Sequence, residues 1–305
     1  HRDYWISCLV NPSAGREWEW GGDRFEAAAI PRSILVVGGG PAGLEAARVA
    51  AERDHSVTLV EAGEQLGGQW RLAGMQPSRG QILEHLLWYR HELERLGVDV
   101  RTNTRFSAED VVAHGASAVV LATGSAPSRS GFQHAIPEWD VLPGSEAAAL
   151  SIQDVIAGAK PAGRRVLLLD DLNDWRGAGT ATLLAEAGYS VTLVTSAAVV
   201  AGQLAMADAD GPLRKRYARA GGKWMTSTVV VDWNGGRARL RSTLTDEESH
   251  EDFDSLVVAS LPDPVRELHD DVIASGVEVH QVGDCIAARK AIMAIYEGRK
   301  LGMTL

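Results

Sequence analysis

Three glycines, Gly38, Gly40 and Gly43, stand in the spacing G-x-G-x-x-G and are the residues best placed to do chemistry together. In such a loop the first glycine permits a tight turn, the second lets backbone approach a diphosphate, and the third lets helix and strand pack closely. The diphosphate then rests against the first amides of the helix that follows, which here opens with Pro41 and Ala42. Glu61 lies 18 residues beyond Gly43, with Ala62 next to it. A carboxylate at that point accepts hydrogen bonds from adenosine ribose hydroxyls and repels a 2′-phosphate. A glycine-rich turn beside a solvent-exposed acid would give the same letters without a ligand. Strand, helix and acid in register favour an adenine dinucleotide or ADP.

Those residues need a strand–turn–helix–strand unit to hold them. Ile34–Val37 reads as a short apolar strand, Pro41–Asp54 as an alanine-rich helix and Val57–Val60 as a second strand. Arg79–Leu96 follows as an amphipathic helix with Ile82, Leu86, Tyr89, Leu93 and Leu96 at helical spacing. Val119–Leu121 is a further strand. The unit then recurs after about 130 residues: Val166–Leu169, a helix over Gly179–Ala187, and Val191–Val194, whose "SVTLVTSA" echoes the earlier "SVTLVEAG". Val229–Trp233 and Ala238–Ser242 look like a hairpin around Asn234–Gly236. Ser255–Ser260 reads as a buried strand, Pro262 and Pro264 as a break, Val277–Val282 as a strand and Arg289–Gly302 as a terminal helix. The first 31 residues, with Trp5, Trp18 and Trp20 and little periodicity, read as an extended segment lying over a surface.

Bulk properties exclude several classes. A length of 305 residues suits two domains with their own cores, and 45% hydrophobic with 23% charged residues is an ordinary globular composition. No apolar stretch approaches the roughly 20 residues of a membrane span. A formal charge of −10 argues against a nucleic-acid partner. Cys8 and Cys285, far apart in the chain, suggest no disulfide framework, so a cytoplasmic setting is expected.

Three further pieces extend the glycine loop. Gly67–Gly68, followed by Gln69 and Trp70, comes just past the ribose acid; Ala122, Thr123 and Gly124 begin "ATGS" at the end of a strand; and Gly283–Asp284 precedes the terminal helix. In this order they resemble flavoproteins of the pyridine-nucleotide–disulfide reductase type, in which the residue equivalent to Asp284 bonds the ribityl chain of FAD. A helix cap is the plainer reading of Asp284, and both can hold together. The resemblance implies a nucleotide-contacting set of Gly38, Gly40, Pro41, Ala42, Gly43, Glu61, Ala62, Gly68, Gln69, Trp70, Phe106, Ala122, Thr123, Gly124, Gly283 and Asp284.

The inserted domain of such proteins carries a second glycine loop for NAD(P)H. Here that stretch is "VLLLDDLNDWRGAG", with Asp170, Asp171, Asn173, Asp174 and Trp175 in place of the small residues. The spacing from Val166 to Val191 is 25, against 23 from Ile34 to Val57. Side chains block close approach and three carboxylates oppose a diphosphate, so this domain is expected to keep its fold without binding NAD(P)H.

"SCLVNPSAGRE" at Ser7–Glu17, taken with the other motifs, resembles the trimethylamine dehydrogenase, histamine dehydrogenase and 2,4-dienoyl-CoA reductase family. Its members are old-yellow-enzyme-related iron–sulfur flavoproteins with an N-terminal TIM barrel carrying FMN, a [4Fe–4S] cluster and two nucleotide-binding-type domains. The present chain lacks the barrel. The resemblance implies that Cys8 is one cluster ligand, with three more upstream, since a four-iron cluster takes four. The damaged second loop is similar to the amine dehydrogenase branch, which passes electrons to an electron-transfer flavoprotein and can hold ADP where other members hold FAD.

The expected fold class is α/β, with two Rossmann-like three-layer domains, the first discontinuous. Residues 1–31 form an extended tail, 32–145 with 262–305 the FAD- or ADP-binding domain, and 146–261 the NAD(P)-binding-like domain. The expected function is the nucleotide-binding, electron-transfer part of an amine dehydrogenase or N-demethylase. An ADP-binding structural module and an NAD(P)H-dependent enoate or dienoyl reductase are the alternatives. The expected partners are the FMN barrel, upstream or as a separate subunit, an electron acceptor such as electron-transfer flavoprotein, and further copies in a homo-oligomer. No residue reads as a catalytic acid, base or nucleophile; His85 and His91 read as packing or surface residues.

Overall fold

The computed structural model describes residues 7–21, 25–145 and 149–305; Trp5 lies outside them. The elements in chain order are α1 (Glu17–Trp20), β1 (Ser33–Val37), α2 (Pro41–Glu52), β2 (Ser56–Val60), α3 (Gly68–Gly74), α4 (Gln81–Arg95), β3 (Asp99–Arg101), α5 (Ala108–His114), β4 (Ala118–Leu121) and β5 (Ser125–Ala126). There follow β6 (Leu150–Ser151), α6 (Ile152–Ile156), β7 (Arg165–Asp170), α7 (Trp175–Glu186), β8 (Ser190–Val194), α8 (Asp210–Arg219), β9 (Lys223–Met225), β10 (Thr228–Trp233), β11 (Arg237–Ser242), β12 (Glu248–Asp252) and β13 (Ser255–Ala259). The last are β14 (Asp263–Pro264), α9 (His269–Ala274), β15 (Glu278–Gln281) and α10 (Ala291–Gly302). No described helix is long and apolar enough to cross a membrane.

Contacts divide the chain into two units. The first holds residues up to Gly74, Gln81–Ala126 and Asp263–Leu305; the second holds Met75–Gly80 and Pro127–Pro262. Residues 127–145 therefore go with the second unit, where the sequence placed them with the first. The cause is packing: Leu142 is buried in a core with Leu167, Leu169, Val230 and Val258. Gln133 also bridges β10 through both its amide and its carbonyl, at 2.8 and 2.9 Å from Val230 O and N.

The first unit is built on a parallel sheet in the order β15-β4-β1-β2-β3. Both faces of β1 are buried, Ile34 and Val36 in one core with α2 and α4, Leu35 and Val37 in another with Val111, Val119 and Val272. This is why β1 reads as a continuous apolar run instead of alternating. Alanine-rich α2 is approached closely by α10, where a side chain at Gly298 would lie 2.3 Å from Ala42 O and one at Gly302 2.7 Å from Val49 Cβ.

The N-terminal segment is not wholly extended, since it contains α1. Trp20 is buried, stacked on Tyr296 at 5.2 Å, with Arg16 over both rings. Beneath the segment lies a buried ionic cluster. Glu45 accepts from Arg48 at 3.0 and 3.1 Å, from Arg299 at 2.5 Å and from the Tyr89 hydroxyl at 3.0 Å. Arg299 also donates to Ser13 Oγ at 2.8 Å, and Phe25 faces both guanidiniums. Buried charge of this kind is tolerated because every group is paired.

The second unit repeats the topology, with parallel order β6-β13-β7-β8-β9, and adds the antiparallel sheet β10-β11-β12. Ile34 pairs with Val57 in one unit and Val166 with Val191 in the other, as the echoed sequences imply. Helix α7 starts at Trp175, one turn earlier than Gly179, because Asp174 caps it by accepting from Arg176 N at 2.8 Å.

Candidate functional site

The site in the first unit is built at the carboxyl ends of β1, β2 and β4, where open parallel sheets bind ligands. Gly38 has φ +111°, and a Cβ there would lie 2.2 Å from Ala122 O, so only glycine fits. A Cβ at Gly43 would lie 2.0 Å from Gly38 O, which shows α2 resting directly on the loop. At Gly40 nothing lies within 4 Å, so backbone is open to an incoming group. No side chain caps α2, which starts with Pro41, and its first amides and positive dipole end remain available to an anion.

Glu61 follows β2 and is partly exposed. Its Oε2 accepts from Gly39 N at 2.8 Å and its Oε1 from Gly63 N at 2.7 Å. Two backbone amides thus fix the carboxylate at the rim of the glycine loop, while each oxygen keeps a lone pair for a hydroxyl. Ala62, between these contacts, is exposed. The loop at Gly67–Gly68 is tied to the same place: Gly67 N donates to Gly39 O at 2.7 Å, and a Cβ at Gly68 would lie 3.6 Å from Gly40 Cα.

The other side is formed by a polar chain. Gln69 Nε2 donates to Ser125 O at 3.1 Å and to Ser125 Oγ at 2.6 Å, and Ser125 Oγ donates to Asp284 Oδ2 at 3.2 Å. Asp284 Oδ1 accepts from Arg289 N at 3.1 Å. Arg289 also holds Gly283 O, and Arg266 holds Cys285 O, so two guanidiniums brace this turn. A Cβ at Gly283 would lie 2.8 Å from Ala42 Cβ, which puts the turn against the start of α2.

The structure therefore gathers Gly38, Gly40, Pro41, Ala42, Gly43, Glu61, Gly68, Gln69, Ala122, Gly283 and Asp284 around the carboxyl ends of these strands. Thr123 spends its hydroxyl on Val265 O at 2.7 Å, and Gly124, φ +73°, provides the turn into β5. Trp70 is placed elsewhere: it is 4% exposed, in the core with Ile82, Leu86 and Tyr89. Phe106 packs into the opposite core layer with Val111, near the ring of His114. Ser125, Arg266 and Arg289 were missed; a serine closing "ATGS" was the one local signal among them. His85 is buried beside Trp70, Trp88 and Tyr89, where desolvation lowers its pKa, and His91 is exposed.

Cys8 is a partly exposed free thiol. Among the described residues no group of three or more His, Cys, Asp or Glu is disposed to hold a metal ion. One thiolate does not meet the four-ligand demand of an iron–sulfur cluster. Cys285 is buried, bonded to Leu121 O, and burial pushes its thiol pKa up, which makes it unreactive.

The corresponding edge of the second unit is filled by its own side chains. Asp170 stands where the first glycine would be. It is fully buried, with Oδ1 accepting from Leu172 N and Asn173 N and Oδ2 lacking a partner among the described residues. Burial pushes its pKa up to about 7. Gly177, at the third-glycine position, is required by that carboxyl, since a Cβ would lie 2.2 Å from Asp170 Oδ1. Asp174 occupies the α7 amide end and pairs with Arg176. Asn173 Oδ1 takes Gly202 N at 3.0 Å, and Asp171 takes the amide and ring of His134. Arg79 lies over the Trp175 ring at 4.7 Å. The sequence pointed to side chains that block close approach and to three carboxylates that oppose a diphosphate; in the structure each carboxylate is also hydrogen-bonded within the fold, and Asp174 caps the amide end of α7.

Comparison with known proteins places the chain among flavin-dependent oxidoreductases. Residues 33–121 match the family described as FAD dependent oxidoreductase. The chain is 33% identical to N,N-dimethylglycine/sarcosine dehydrogenase of Chromohalobacter salexigens, over 97% of this chain and 47% of that protein. Histamine dehydrogenase from Rhizobium sp. 4-9 superposes with a TM-score of 0.92 at 27% identity, covering 98% of this chain and 48% of the other. The 6-hydroxypseudooxynicotine amine oxidase of Pseudomonas geniculata N1 gives 0.92 at 29%, covering 98% and 46%. The chain spans about half the length of the relatives it matches.

Proposed function

From the premise that the chain belongs to the FAD-dependent oxidoreductases, matching the C-terminal region of the family of dimethylglycine/sarcosine and histamine dehydrogenases, we propose that its first unit holds FAD and serves electron transfer in an amine-oxidising enzyme. The observation that carries the reading is the contrast between two equivalent helix starts. That of α2 is uncapped, glycine-lined and flanked by Glu61 and Asp284, whereas that of α7 is capped by Asp174. FAD fits the first: the α2 amides would hold its diphosphate, Glu61 a ribose hydroxyl, and Asp284 a hydroxyl of its polyol chain. When bound, a flavin supplies one- and two-electron transfer that no side chain of this unit provides. The protein's part is to bind and orient. Glu61 would select against a 2′-phosphate, and the fixed amide dipoles would stabilise a diphosphate without reorganisation.

The second unit, in this reading, binds no NAD(P)H and acts as scaffold. Oxidation of the amine falls to an FMN-bearing barrel region outside this sequence, with electrons leaving to an electron-transfer flavoprotein or similar carrier. Cys8 would be one of the four ligands that a [4Fe–4S] cluster takes. The test is to denature the purified chain and identify the released nucleotide: FAD supports the proposal. Release of ADP alone would leave a structural module, and bleaching of a bound flavin by NADH would restore a nicotinamide-dependent reductase.

A further inference from the structure

The polar chain Gln69–Ser125–Asp284 has a fixed direction. Ser125 O is a carbonyl and can only accept, so the Gln69 atom 3.1 Å from it is the amide nitrogen. That same nitrogen donates to Ser125 Oγ at 2.6 Å, which commits the serine proton to Asp284 Oδ2 at 3.2 Å. Donors therefore run from amide to hydroxyl to carboxylate, and Arg289 N closes the other carboxylate oxygen. What this end of the site presents to a ligand is acceptors: the remaining lone pairs of Asp284 and Gln69 Oε1. Through Gly283 and Ala42 this surface sits against the start of α2, whose amides would hold a diphosphate.

We infer that Ser125 and Gln69 are positioning residues that hold Asp284 as a hydroxyl-selective acceptor, so that they govern binding of a nucleotide with a polyol chain beyond its diphosphate but not binding of ADP. The inference rests on the first unit being the nucleotide site. A ligand hydroxyl gains a charge-assisted bond to a carboxylate already oriented for it. ADP ends at its second phosphate and makes no use of that acceptor.

Titration of the nucleotide-free 305-residue chain with FAD and with ADP, by calorimetry, tests this. For Ser125→Ala we expect FAD affinity to fall about tenfold, the scale of one hydrogen bond to a charged group. ADP affinity should stay within about twofold of the parent value, and Ser125→Thr, which keeps the hydroxyl, should recover most of the FAD affinity. Gln69→Leu should follow Ser125→Ala in the same direction. Equal losses for both nucleotides would mark a merely structural role and overturn the inference, as would unchanged FAD binding in both variants. Failure of the parent chain to bind either nucleotide would instead remove the site reading beneath it, and the inference with it.

Discussion

Asp170 offers the sharpest stability test, because the first-glycine position of a nucleotide loop here holds a fully buried carboxyl. Its pKa rises from the ordinary 3.8 to about 7, with burial the main cause and the nearby Asp174 and Asp171 charges adding to it. A folded pKa above the unfolded one means the folded state binds more protons between about pH 4 and pH 7, so stability falls as pH rises through that window. The full rise corresponds to about 4 kcal/mol, of which about 2.6 kcal/mol is lost between pH 5 and pH 8. Asp170→Asn keeps an oxygen for Leu172 N and Asn173 N and cannot ionise. Its amide group, like the protonated acid, puts a donor where Oδ2 has no partner, so that cost of about 1–3 kcal/mol largely cancels at low pH. Urea unfolding at both pH values should therefore show the variant gaining about 2–3 kcal/mol on the parent as pH rises from 5 to 8. A variant-minus-parent difference that does not change with pH would refute the reasoning.

Other outcomes follow from named contacts. Gly43→Ala puts a methyl 2.0 Å from Gly38 O, so α2 must move off the loop; nucleotide binding measured by calorimetry should fall at least about 100-fold. Glu61→Ser removes the acceptor for a ribose diol and the charge that repels a 2′-phosphate; adenosine 2′,5′-bisphosphate should then bind better relative to ADP than it does to the parent. Arg299→Leu leaves Glu45 with one guanidinium fewer in a buried cluster and removes one donor to Ser13 Oγ; denaturant unfolding should show a loss of about 3–5 kcal/mol.

Much of this arrangement is legible in the residues alone, for identifiable reasons. The glycine loop, Glu61 and the repeated strand–helix–strand pattern depend on local sterics and on continuous burial of parallel strands, both of which leave periodic marks. Edge strand β3, three residues long with Asp99 and Arg101 at its ends, carries no such mark and was missed. Trp70 follows two cofactor-loop residues in sequence, yet the first turn of α3 rotates it into the core beside Leu86. Asp174 read as a repelling charge because capping depends on a backbone conformation that the letters do not reveal. The membership of residues 127–145 and the link from Gln69 through Ser125 to Asp284 join positions 56 and 159 apart, and pairings of that range leave no spacing to read.

On the proposal made above, the chain has one competent nucleotide site, in its first unit, and a self-filled counterpart in the second. Quantitative analysis of nucleotide released from the denatured chain, alongside calorimetric titration with NADH and NADPH, tests it most directly. One FAD per chain, lost in Gly43→Ala, and no heat of binding for either nicotinamide nucleotide are the expected results. Saturable NADH or NADPH binding that survives Gly43→Ala would contradict it.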